Sequence, residues 1–60
     1  MIAICVNNTD CEASLIKGKY YKVASPKSED PIDWIRIIDE TGEDYLYSED
    51  RFIVYIEFTK

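Results

Sequence analysis

Histidine is absent from this chain of 60 residues, and glycine, proline and cysteine occur only twice each. Without histidine there is no Ser–His or Cys–His pair to activate a nucleophile. The two cysteines cannot complete a four-ligand zinc site unless carboxylates or a second chain contribute. Two isolated glycines leave no phosphate-cradling loop. Basic residues are scarce as well: seven Lys and Arg stand against twelve Asp and Glu, a net charge of -5. That balance argues against a nucleic-acid backbone as the main partner, because such contacts rest on cations neutralising phosphates. No run approaches the roughly 20 apolar residues that span a bilayer, and Met1 to Val6 lacks the basic start and length of a signal peptide. The expectation is a cytoplasmic protein with no membrane attachment, in which Cys5 and Cys11 stay reduced. No catalytic residue, cofactor or metal site is expected.

What is present is a folded-protein composition, 47% hydrophobic, in a chain of one small domain, residues 1–60. Such a chain buries only about 60% of its unfolded surface. The most informative stretch is 34–47, two apolar runs around Asp39-Glu40-Thr41-Gly42. Asp opens a type I turn by accepting from nearby backbone N–H groups, and Gly42 takes positive φ without a Cβ penalty. This is a three-residue hairpin loop with a glycine bulge. It predicts the pairs Ile38–Asp44, Ile37–Tyr45, Arg36–Leu46 and Ile35–Tyr47. Side chains alternate along a strand, so Ile35, Ile37, Tyr45 and Tyr47 are expected on the core face. Trp34, Arg36, Ile38 and Leu46 are expected on the other.

The rest of the chain supplies three more strands. Residues 1–7 and 19–24 alternate with period two. Between them lies a long loop in which Leu15, with Ile16, is expected to reach the core. Ser25 to Pro31 is a proline-bearing loop. Ser48 is a natural N-cap for a single helical turn over 48–51. Residues 52–58 form a last strand, apolar on both faces apart from Glu57, expected to pair with the first strand and be wrapped by loops. The alternative use of that strand is homodimerisation through Ile53 and Tyr55, with a monomer favoured.

Five short strands with this order of loops predict an all-β, partly open five-stranded barrel with one short helical turn before the last strand. The order resembles the Src-homology-3-like barrel. A closer resemblance runs through Cys5-x-x-Asn8, Ser14-Leu15, Gly18-Lys19-x-Tyr21-x-Val23, Ile38-Asp39-Glu40-x-Gly42-Glu43-Asp44-Tyr45-Leu46-Tyr47 and Phe52. This combination is similar to very short bacterial and phage proteins of unassigned function with that barrel, in which proline usually stands where this chain has Ser48. The resemblance implies a fold and no activity.

Three functional readings follow. The first is a non-enzymatic protein-interaction module that binds a protein or peptide through Trp34, Arg36 and Leu46, with Tyr20 on the neighbouring strand. Trp and Arg are the residues most enriched in binding hot spots. In peptide-binding members of the barrel fold a Trp at the matching position lines a groove for proline-rich ligands. Their aromatic motif at the end of strand one is replaced here by Ile4-Cys5-Val6-Asn7, so the expected partner is another protein surface. The second reading is an acidic phage-type inhibitor or mimic that binds a basic host surface. Residues 29–60 carry ten acids against three basic residues, a net -7, whereas residues 1–28 carry four lysines against two acids. The third reading is weak nucleic-acid binding by Lys17, Lys19, Lys22 and Lys27 with Tyr20. The acidic turn Asp39, Glu40, Glu43 and Asp44 lacks calcium-loop spacing and reads as a solvated hairpin tip.

Overall fold

The computed structural model describes residues 1–56. Five strands, β1 (Ile2–Cys5), β2 (Tyr20–Val23), β3 (Trp34–Ile38), β4 (Asp44–Ser48) and β5 (Phe52–Tyr55), form one antiparallel sheet in the order β4-β3-β2-β1-β5. A 3-10 turn, Glu49–Arg51, separates β4 from β5. The sheet does not close, so β4 and β5 are its edges. The fold is therefore all-β, the small, partly open five-stranded arrangement expected from the order of loops. Among the described residues no helix is long and apolar enough to cross a membrane.

The β3–β4 register agrees with the turn arithmetic at every position: Ile38 lies opposite Asp44, Ile37 opposite Tyr45, Arg36 opposite Leu46, Ile35 opposite Tyr47 and Trp34 opposite Ser48. The cause is local. Gly42 sits at φ 83° and its N–H donates to the Asp39 carbonyl, while Asp39 and Glu43 close the ladder. The Asp39 carboxylate, 5% exposed, accepts from the Thr41 N–H at 2.9 Å, the Thr41 hydroxyl at 2.6 Å and the Tyr47 hydroxyl at 2.6 Å. A buried carboxylate with three donors is fully compensated.

Ala3, Cys5, Leu15, Tyr21, Ile37 and Phe52 make the core, with Cys11, Val23, Ile35 and Tyr47 packed against it. Both cysteines are free thiols. Among the described residues no α-helix covers the inner face, and the long loop between β1 and β2 does so. The Gly18 N–H donates to the Cys5 carbonyl at 2.7 Å, Asn8 Nδ2 to the Leu15 carbonyl at 3.1 Å, and the Glu40 N–H to the Ser14 carbonyl at 3.0 Å. Tyr21 fastens the same loop to the hairpin. Its hydroxyl accepts from the Ile16 N–H at 2.8 Å and donates to Glu40 at 2.7 Å. Burial, reinforced by the Glu40 carboxylate, pushes the Tyr21 hydroxyl up to about 12.

Four expectations are corrected. Tyr45, assigned to the core face, is exposed, because the covering loop does not extend over that end of β4. Ile16 also points to solvent, and Leu15, with Cys11 packed against the core, pins the loop. The Ser48 side chain makes no capping bond to the turn backbone; its hydroxyl donates to Asp50 instead. β5 pairs with β1 as expected, Ile4 opposite Ile53 and Cys5 opposite Phe52, but Ile53, Val54 and Tyr55 remain exposed and no loop wraps them. The expected continuation of that strand through Glu57 and Phe58 lies outside the described residues.

Candidate functional site

Trp34 begins β3 on the outer face, with Ser48 opposite it and the Arg36–Leu46 pair one step further along. It is 47% exposed. Leu46 is half-buried beneath. The position of Trp34 follows from strand alternation: Ile35 and Ile37 face inward, which obliges Trp34 and Arg36 to face outward.

Arg36 is not a free cation. Its Nη2 and Nε donate to the two oxygens of Asp30 at 2.6 and 3.1 Å, and its Nη1 donates to Asp44 at 3.3 Å. The side chains of Arg36 and Asp30 are only 13% and 6% exposed. This forked pairing matches guanidinium and carboxylate geometry. The hydrogen bonds from Arg36 hold the Asp30 carboxyl down to about 2, and Asp30 in turn raises Arg36 further above its ordinary value. Asp30 also accepts from the Lys27 N–H at 2.9 Å, while its own N–H donates to the Lys27 carbonyl. The 25–33 loop is thus closed on itself and fastened to β3 by one guanidinium. Arg36, expected on the contact surface, is thus engaged by Asp30 and Asp44 of its own chain.

That fastening presents a residue the sequence reading passed over. Ile32 is 93% exposed, two positions before Trp34, on a turn whose Pro31 carbonyl accepts from the Trp34 N–H at 3.3 Å. The signal available in the sequence was an isoleucine placed between Pro31 and Asp33.

Tyr20 lies elsewhere. Lys22 pairs with Ile38, so Tyr20 falls beyond the hairpin-turn end of β3, and Trp34 starts at the opposite end. Tyr20 instead neighbours Ile4, and its ring centroid is 6.2 Å from that of Tyr55. The outer face therefore carries two separate apolar areas, Trp34 at one end, with the exposed Ile32 in the turn before it, and Tyr20, Ile53 and Tyr55 at the other.

The remaining candidates are partly committed to structure. Lys19 pairs with Glu40 and lies over the Tyr21 ring, which divides the Lys17–Lys27 series. Glu40 is held below the ordinary carboxylate range, first by Lys19 and then by Tyr21. In Asp39, burial acts upward, but the bonds from Thr41 and Tyr47 outweigh it and the net displacement is downward. Asp39, Glu40 and Asp44 of the hairpin tip are thus engaged by other side chains of the fold. Among the described residues no group of three or more His, Cys, Asp or Glu is placed to hold a metal ion.

No known family, curated protein or solved structure matches the chain.

Proposed function

We propose that this protein is a non-enzymatic interaction module of the cytoplasm that binds another protein or peptide through the end of its outer face carrying Trp34. The supporting observation is the exposure of Trp34 and Ile32 on a loop and strand held by the Arg36–Asp30 fork. A rigidly held aromatic with an aliphatic neighbour loses little freedom on binding, which is what makes hot-spot residues effective. Arg36 and Leu46, paired one step along the same face, adjoin this surface. Tyr20 is at a different place on the face and is left out of the binding site.

The experiment is affinity capture from the native host with the wild-type chain, Trp34→Ala and Ile32→Ser as parallel baits, each checked for folding by its amide spectrum. A partner held by the wild type and lost from both folded variants is the expected result. Retention of every partner by both variants would sink the proposal.

A further inference from the structure

The charge around the two exposed apolar residues is lopsided. Segments 27–36 and 44–51 carry six acids, Glu29, Asp30, Asp33, Asp44, Glu49 and Asp50, against Lys27, Arg36 and Arg51. Two of the three cations are already engaged. Arg36 is held by Asp30 and Asp44, and Arg51 Nη1 donates to the Asn7 and Thr9 carbonyls at 3.2 and 2.8 Å. Of the acids, Glu29, Asp33, Glu49 and Asp50 are exposed and outside the ion pairs of the described residues. Asp33 separates Ile32 from Trp34. The Glu49 N–H donates to the Asp33 carbonyl at 3.1 Å, and Asp50 is tied to Ser48, the residue opposite Trp34. Carboxylates therefore flank the apolar pair along the loop, at Glu29 and Asp33, and across the strand pair, at Glu49 and Asp50, and among the described residues of these two segments Lys27 is the cation outside these ion pairs and carbonyl bonds.

On the basis of the interaction-module reading, we infer that the partner of this end is a cationic protein segment in which an apolar side chain is flanked by lysines or arginines. The apolar side chain covers Ile32 and Trp34, and its basic neighbours meet Asp33, Glu49 and Glu29. Charge complementarity of this kind selects among partners and steers encounter. An acidic or neutral apolar segment would bury the same pair against repulsion or against unpaired carboxylates.

The test uses three short synthetic peptides titrated against the full chain by amide chemical shifts: lysine with leucine, lysine with serine, and glutamate with leucine. The lysine–leucine peptide is expected to shift Ile32, Asp33, Trp34, Ser48 and Glu49. It should bind at least about ten-fold more weakly to Ile32→Ser, and weaken steeply as salt is raised. Ile32 is almost wholly exposed, so that variant keeps the fold. Equal affinity of the glutamate–leucine peptide at the same residues would overturn the charge inference and leave the binding face standing. Equal affinity of the lysine–serine peptide would overturn the apolar half of the inference. Shifts confined to the hairpin tip 39–44, or none with any peptide, would overturn both the inference and the binding face.

Discussion

Arg36 joins the 25–33 loop to β3 through its two bonds to Asp30. Beside a tryptophan on an outward face, an arginine suggests a contact residue, yet its charge is spent on Asp30 and Asp44. The partner was not legible in the sequence because Asp30 is six residues upstream in a loop, and no periodicity relates loop to strand. Arg36→Ala would leave the Asp30 carboxylate shielded from solvent without its cation, a configuration that proteins tolerate poorly. The expected outcome is a lower urea midpoint together with faster amide exchange at Asp30, at Trp34 and throughout the 25–33 loop, while the 39–44 turn is unchanged. Uniform destabilisation with no selective effect on that loop would contradict the positioning role.

The hairpin shows why some elements could be derived from composition and others could not. Turn chemistry fixes a register locally, so all pairs between β3 and β4 followed from Asp39 and Gly42. Nothing local sets the β2–β3 register, because the intervening loop is long, and the placement of Tyr20 relative to Trp34 was correspondingly misjudged. Gly42 offers a clean test of the turn. A Cβ there would meet no atom within 4 Å, so the cost of Gly42→Ala is that of the left-handed backbone alone, about 1–2 kcal/mol, read from urea unfolding. Tyr47→Phe removes a donor to the buried Asp39 carboxylate and is expected to cost about 1.5–3 kcal/mol. An unchanged midpoint for either variant would show that the turn does not hold the register.

At the scale of the whole molecule, one connected network joins the core, the covering loop and the hairpin. Cys5, Leu15, Tyr21 and Phe52 are core, Asn8 and Gly18 shape the covering loop, and Asp39, Glu40, Tyr21 and Tyr47 join loop to hairpin. Trp34 and Ile32 stand outside the core and are exposed. The same network sets the pH range of stability. Tyr21 and Tyr47 are both pushed up to about 12, chiefly by burial and then by the carboxylates they bond. Their contribution is fully present below the unfolded tyrosine value of about 10 and is lost as pH rises from there toward 12. Asp30, Asp39 and Glu40 are displaced downward. Their contribution is present above the unfolded carboxylate value of about 4 and is lost as pH falls below it, for Asp30 toward about 2. Thermal unfolding is therefore expected to show a plateau with losses on both sides. Tyr21→Phe should flatten the alkaline limb, and an alkaline limb unaffected in both Tyr21→Phe and Tyr47→Phe would contradict this assignment.

The central claim, that Trp34 is displayed on a finished fold, has a direct optical test because it is the chain's single tryptophan. Acrylamide quenching of its fluorescence can be compared in the folded and the urea-unfolded protein. A half-exposed indole predicts a folded-state quenching constant within a factor of about two of the unfolded one. Quenching several-fold weaker than in the unfolded chain, with blue-shifted emission, would place Trp34 in the interior and contradict the account.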